Sequence, residues 1–543
     1  MPADEQLPAQ PGAGRAPVPQ VLIVGAGPIG MALACELLQQ NVTVRLIDRQ
    51  ERVDTSDPHS KAVLVWPRNL EMLRRIGIAD TLVREGRRTS GLSYYSEGRL
   101  LGTADLSTLD DSPYPFILAL PQRDTERILR GRLAELGGVV ERGVELVTLD
   151  ASGTYPQAAL KHPDGTSETV EPQWLVGADG PASTVRGELG IRFDGEEIDV
   201  TYAIGDVPLS GDVPPLGQYY YCRDGVAAIV PLNNGRYRFA ATTPHRHEED
   251  GNPSRELIQH ILSSRSRRNI QVGTPDWTRA FRPRLGIAET FRKGRCFLVG
   301  DAAHVVSPAG GQGLNVGLMD VANLGWKLAG VANGTLRESI LDSYAPERQA
   351  GATRLSRTSA AQARFALQRS ATRIAVRDTL FTAACSTGLV SRMVVPLLSQ
   401  IDVSYGRLAT EPILLRHPRP IEPGQRVPLF VPPESDSGMP ALDPAYYTVL
   451  IWPGRRPKAD WTQRTRQLRE KLDPGITVLD LARVSGRPAR ILDRTFGRNP
   501  AFAVVRPDGH LALLAGADRP DQVVGFLRSA RPTGSEALAP AAD

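Results

Sequence analysis

The chain of 543 residues is poor in cysteine, holding only Cys35, Cys222, Cys296 and Cys385. They are widely spaced and form no C-x-x-C pair. That argues against a disulfide framework and a structural zinc site, and leaves each as a small buried hydrophobe. Histidine is scarce too, and only His245 and His247 lie close together, in a stretch (TTPHRHEED) that reads as a solvated loop; no metal site is expected. Long apolar runs are missing. The most apolar later stretch, between Arg377 and Arg392, carries Asp378 and several hydroxyl residues and is shorter than the ~20 residues of a membrane span. No block of one charge sign exists: the net charge of +4 is spread along the chain, which excludes nucleic acid as the main partner. Residues 1–19, rich in Pro, Ala and Gly, read as a disordered lead-in rather than a signal peptide or anchor. The expectation is a cytoplasmic, soluble protein with no membrane partner, whose 41% hydrophobic content supports two or three domains.

What is present begins at QVLIVGAGPIGMALACELLQQ. Val21 to Val24 suit a buried parallel strand. Gly25, Gly27 and Gly30 then fit G-x-G-x-x-G, an apolar helix opens at Pro28, and a second strand, VTVRLI, ends at Asp48 with Arg49 beside it. Gly25 makes the tight turn, Gly27 lets the backbone approach a pyrophosphate, and Gly30 lets helix and strand pack closely. Asp48 is placed to accept hydrogen bonds from an adenosine ribose. The context favours a dinucleotide and leaves FAD and NAD both open.

Two further pieces lie far downstream. WLVGADGPASTVR leads from an apolar run to Asp179, Gly180, Ser183 and Arg186, and on its own reads as a strand and a turn. CFLVGD ends in Asp301 and runs into AAHVVSPAGGQGLN, from which a helix continues to a stop at Asn333-Gly334. The loop carries Pro308, Gly310, Gly311 and Gly313, followed by Leu314 and Asn315. It delivers backbone N–H groups and the positive end of a helix to one place. Such a place suits the negative charge of a reduced flavin, with Asp301 beneath the ribityl chain.

In combination these motifs resemble the FAD-dependent aromatic hydroxylases, the class A flavoprotein monooxygenases. The N-terminal glycine motif, Asp179-Gly180, Gly300-Asp301 and the loop Pro308 to Asn315 carry the resemblance, over roughly residues 20–360. The layout is most similar to the phenol and pentachlorophenol hydroxylases or the polyketide-tailoring branch. The resemblance implies that Gln122, with Glu126, contacts the ribityl or ribose region. It also places Lys61 where many members carry an Arg. It implies non-covalent FAD, NADPH as a transient reductant, and hydroxylation of a phenolic or quinonoid aromatic with O2 through a C4a-hydroperoxyflavin. The absence of a second strand-embedded G-x-G-x-x-G agrees with transient NADPH binding. A halogenase would carry W-x-W, which does not occur. Baeyer–Villiger insertion, epoxidation and a non-enzymatic flavin sensor remain as alternatives.

The expected fold is α/β. A Rossmann-like, glutathione reductase-like FAD domain is assembled from residues 20–190 and from 291–409, the latter with a helical region. A β-sheet substrate domain covers mainly 191–290. A thioredoxin-like domain without redox cysteines covers 410–543 and has a structural or oligomeric role, with a homodimer as one arrangement. In GQYYYCRDGVAAIVPLNNGRYRF, alternation puts Tyr219 and Tyr221 on one face and Tyr220 on the other. Tyr219 and Tyr221 are substrate-pocket candidates, against the simpler reading that they pack the sheet. No residue is assigned as catalytic base, and Pro507-Asp508-Gly509 reads as a remote hairpin turn.

Overall fold

The computed structural model describes residues 19–52, 62–195, 200–243, 252–282, 285–308, 310–406, 420–428, 442–455, 460–484 and 486–532. Lys61, His245 and His247 lie outside them, as does the start of the expected third unit at Thr410.

The first unit is a six-stranded sheet in the order Arg292–Lys293, Cys296–Leu298, Trp174–Gly177, Val21–Val24, Val44–Asp48, Val140–Arg142. All neighbours are parallel except the first pair. These strands are short apolar runs because helices cover them: Val21, Leu22, Ile23, Trp174, Leu175, Phe297 and Leu298 are fully buried. Helices Pro28–Gln39 and Gly313–Ala332 pack against each other over this sheet. The second of these is buried nearly all round, and it ends at Asn333 and Gly334 as its sequence indicates. A separate antiparallel meander, Glu145–Asp150, Gln157–Lys161 and Ser167–Val170, is inserted before Trp174.

The middle unit is an eight-stranded sheet centred on Thr201–Gly211, Arg236–Thr243, Gly225–Pro231 and Gly217–Cys222. It is wider than residues 191–290. The hairpin Gly91–Ser96 and Arg99–Asp105 joins it through a parallel pairing of Gly91–Ser96 with Gly217–Cys222. Tyr94 and Tyr219 meet across that pairing with ring centroids 5.7 Å apart. The outer face is closed by helix Arg255–Ser266, which packs Ile258, Ile261 and Leu262 against Tyr220, Ile229 and Phe239.

The last unit has strands ordered Val478–Asp480, Thr448–Trp452, Ala501–Val505, Leu511–Gly516, with only the first pair parallel. Helices Trp461–Lys471 and Pro520–Ala530 pack on one another and on this sheet. The turn at Pro507-Asp508-Gly509 is not remote. Asp508 and His510 are fully buried, and the turn faces the first unit. The residues give the right local geometry, and what covers the turn comes from elsewhere in the chain.

Cys35, Cys222 and Cys296 are buried as expected, while Cys385 is only partly so. Among the described residues, no single helix is long and apolar enough to cross a membrane and no cluster of metal-binding side chains occurs.

Candidate functional site

The three glycine-bearing motifs meet because small residues allow backbones to touch. Gly25 has φ +104°, and a Cβ there would overlap the carbonyl of Ala178, next to Asp179. A Cβ on Gly30 would overlap the carbonyl of Gly25. Gly300 and Gly317 both close on Ile29. Backbone bonds run from Ala178 N to Val24 O at 2.7 Å and from Val299 N to Gly177 O at 3.0 Å. Arg186 donates to the carbonyl of Ala302 at 2.9 Å, tying the second motif to the third.

Gly27 differs from its neighbours. A Cβ there would meet nothing within 4 Å. The helix it opens has Pro28 at its first turn, no side-chain cap and no acidic residue in that turn. Its first N–H groups therefore face open space, as an anion site requires. Asp48 is aimed at the same corner. Its Oδ2 accepts from Ala26 N at 2.8 Å and its Oδ1 from Gln50 N at 2.9 Å. Arg49 beside it is exposed.

Asp179 is turned inward, where Ser183 Oγ donates to it at 2.6 Å and Val185 N at 3.1 Å. Burial pushes its carboxyl up, against these donors. Gln122 accepts from Ala62 N at 3.2 Å and donates to Glu126 at 2.8 Å, so it fixes the chain just after Lys61. Asp301 is exposed on the short turn Gly300–Ala302.

The turn Gly300–Ala302 is held by Asp320, which no motif singles out. Its Oδ2 accepts from Gly300 N at 2.9 Å and pairs with His304 Nε2 at 2.6 Å, and its Oδ1 accepts from Arg348 at 2.7 Å. Asp320 is fully buried, yet His304 and Arg348 keep its carboxyl below the usual range against that desolvation. His304 is thus a structural partner.

In the glycine loop, Gly310 and Gly311 take φ of +80° and +62°, so both need glycine. Gly311 N bonds to Pro308 O at 3.0 Å. Gly313 and Leu314 open helix Gly313–Ala332, which again has neither a side-chain cap nor an early acid, and a Cβ on Gly313 would meet nothing within 4 Å. Asn315 donates to Leu64 O at 2.8 Å and Gly311 O at 2.9 Å, and accepts from Trp66 N at 2.9 Å. Two uncapped helix ends and a corner acid therefore border open space on one side of the first unit. That fits an extended dinucleotide with an anionic centre and a ring at the far end.

Above the loop lies the inner face of the middle sheet. Register puts Tyr94, Tyr219, Tyr221, Val226, Ala228, Arg238, Ala240, Tyr202, Asp206, Trp277 and Phe281 on that face. Its centre is open: Tyr202, Tyr219, Val226, Ala228 and Ala240 keep partial exposure, while Ala203, Val207, Ala227, Ile229, Phe239 and Ala241 on the other face are buried. Tyr202 bonds to Ser307 and Tyr219 to the backbone of Gly310, so this face looks onto the loop. Tyr219 therefore borders the opening, while Tyr221 is buried in its wall with Phe365. Burial pushes Tyr219 up to about 12, so it stays a neutral phenol near pH 7. At one edge Arg238 donates to Asp206 at 2.6 Å and Trp277 Nε1 donates to the same carboxylate at 3.0 Å. The alternation of these strands was readable; Asp206, Arg238 and Trp277 meet only through strand pairing.

Residues 19–359 match the family model described as FAD binding domain. The chain belongs to the FAD-dependent aromatic monooxygenases. It is 41% identical over 362 residues to 6-methylpretetramide 4-monooxygenase of Streptomyces rimosus, a match spanning 66% of this chain and 64% of that protein. It is 35% identical over 506 residues to an uncharacterized aromatic compound monooxygenase of Bacillus subtilis strain 168, covering 92% and 95% of the two chains. Among solved structures, the OxyS anhydrotetracycline hydroxylase of Streptomyces rimosus superposes with a TM-score of 0.71 at 27% identity, covering 94% of this chain and 99% of that one. Aklavinone-11 hydroxylase, solved with FAD and aklavinone, gives a TM-score of 0.71 at 24% identity over 95% of this chain and 99% of that chain, a likeness of fold. FAD is thus the cofactor of this monooxygenase.

Proposed function

We propose that this monooxygenase hydroxylates a phenolic or quinonoid aromatic of fused-ring, polyketide type, with O2 and NADPH. The observation that carries the reading is the open apolar face centred on Ala228 and Ala240, directly above the glycine loop. The names of its relatives, which include tetracycline-type and pentachlorophenol monooxygenases, support the same class.

Gly25, Gly27, Pro28, Gly30, Asp48, Arg49, Gln122 and Asp179 would hold the nucleotide half of FAD. Asp301, Pro308, Gly311, Gly313, Leu314 and Asn315 would hold the ribityl and ring half, and Lys61 is assigned to the same site. When bound, FAD supplies hydride acceptance and activation of O2. The chain's own residues supply position and dryness. Tyr94, Tyr219, Phe365 and Phe381 form an aromatic wall that excludes water. Asp206, Arg238 and Trp277 close the opposite edge with a polar group able to orient a substrate oxygen. A phenol is most reactive ionised, and ionising one of pKa near ~10 at pH 7 costs roughly 4 kcal/mol. Tyr219 shows that burial here raises a phenol further, so substrate ionisation needs a positive neighbour; Arg279 shares this face by register.

The last unit, with its strand order and flanking helices, is read as thioredoxin-like with a structural role; no cysteine lies beyond Cys385.

The test is direct. The purified protein is expected to be yellow and to release FAD on heating. With a fused-ring phenol it is expected to consume NADPH and O2 and add one oxygen atom to an aromatic carbon, read by mass spectrometry and NMR. A ring-expanded lactone or an epoxide would replace hydroxylation by the other oxygen transfers. NADPH consumption without any oxygenated product across a panel of phenols would remove the reading.

A further inference from the structure

The buried turn Arg506–His510 sits behind the glycine loop, and one short segment joins the two. Trp66 N donates to Asn315 Oδ1 at 2.9 Å and its indole nitrogen to Gly310 O at 3.2 Å. Two residues on, Arg68 is fully buried and donates through Nη2 to the backbone carbonyl of Asp508 at 2.5 Å. Its Nη1 donates to Glu71 at 2.8 Å. The segment 64–68 therefore grips the flavin loop at one end and the last unit at the other.

The turn is itself rigidly set. Arg506 forks onto Asp508 at 3.1 and 2.6 Å and onto Glu347 at 2.7 and 2.9 Å. Arg426 clamps Glu71 at 3.0 and 2.5 Å and Asp111 at 2.9 Å. Glu71, Arg426, Arg506 and Asp508 are buried, so a displacement of the turn leaves a buried guanidinium unpaired and is strongly resisted. A guanidinium can span a carboxylate and a carbonyl in one plane, which an ammonium cannot.

We infer that Arg68 is a positioning residue through which the C-terminal unit sets the shape of the flavin loop. The consequence rests on FAD binding at that loop; the coupling itself does not, because it exists in the apo-protein. A unit that merely adds stability would raise the melting temperature and leave the loop's local opening unchanged.

Hydrogen exchange on the apo-protein tests this. In Arg68→Lys and Asp508→Asn, amides of 62–68 and 310–316 are expected to exchange about tenfold faster. Ile451→Ala, a buried position on strand Thr448–Trp452 that pairs with Phe502 at the end of the sheet away from the turn, is expected to lower the melting temperature without that effect. Titration with FAD then gives a dissociation constant raised by roughly tenfold in the first two variants only. Should those two fail to fold, native-state exchange of the wild-type chain decides: amides of 310–316 and 506–510 are expected to share one opening free energy across a denaturant series. Loop amides that exchange at the wild-type rate in Arg68→Lys, or equally fast in Ile451→Ala, or that open independently of 506–510, would overturn the inference. Normal loop coupling with no FAD binding would instead remove the flavin reading and leave the coupling standing.

Discussion

Gly25 and Gly27 are two residues apart and do opposite things. Gly25 is filled on one side by Ala178 and sits at φ +104°, so Gly25→Ala adds strain of about 1–3 kcal/mol and an overlap besides. Gly27 borders empty space in an ordinary extended conformation. Gly25→Ala is expected to lower the melting temperature of the apo-protein. Gly27→Val is expected to leave it within a degree or two and to weaken FAD by at least about tenfold, ~1.4 kcal/mol; thermal melts and FAD titration separate the two. Lys327 gives a pH prediction. It is fully buried, with Nζ 2.8 Å from Asn323, Ser343 and Glu347, and burial lowers it to about 8. Between about 8 and its ordinary 10.5 the unfolded chain holds this proton and the folded chain does not, so this group's contribution to stability rises with pH. Urea midpoints of the wild-type chain are expected to gain on those of Lys327→Met across that window; parallel pH profiles would contradict the assignment. The glycine motifs were legible because each works within a few residues. Asp320, Trp66 and Arg68 were not, since their partners lie far along the chain.

At the scale of elements, the proposed substrate face belongs to the middle sheet and the glycine motifs to the first unit. Ala228 and Ala240 are paired neighbours at the open centre of that face and belong to none of the glycine motifs. Ala228→Phe is expected to keep FAD affinity within about twofold and to lower kcat/KM for a fused-ring substrate by roughly a hundredfold, ~2.7 kcal/mol. If FAD affinity falls as far, the face is not a substrate surface. Strands Gly217–Cys222 and Gly225–Pro231 could be read from their alternation and the Gly-bearing turn between them. The hairpin Gly91–Ser96 and Arg99–Asp105 escaped, because its partner strand lies more than a hundred residues away and nothing local specifies a parallel pairing. The four strands of the last unit coincide with apolar runs of the sequence, although their order in the sheet does not follow the chain. The burial of its Arg506–His510 turn was not legible, because turn residues specify a backbone path and not what lies over it.

For the whole molecule, distant parts of the chain complete one another. Arg68, Glu71 and Glu347 in the first unit are bonded to Asp508, Arg426 and Arg506 in the last. A chain ending at Gly406 would leave the first set partly unpaired and its apolar surroundings exposed. It is expected to be insoluble or to lack FAD, and a soluble yellow truncation would show the units to be independent. Gating is a second property at this scale. Anaerobic flavin reduction by NADPH is expected to rise at least roughly tenfold with a true substrate, a barrier change of only ~1.4 kcal/mol. Equal rates with and without substrate would exclude it.

The crossing of Arg68 to the carbonyl of Asp508 also has a meaning in time. Translation delivers the glycine motif long before the Arg506–His510 turn, at about 5–20 residues per second. Until that turn leaves the ribosome, Arg68 has only half its partners, and the loop it steadies is unfinished. Cofactor capture in this protein is thus expected to follow the emergence of that turn, and a nascent chain stalled before Arg506 is expected to bind FAD about tenfold more weakly than one that has passed it.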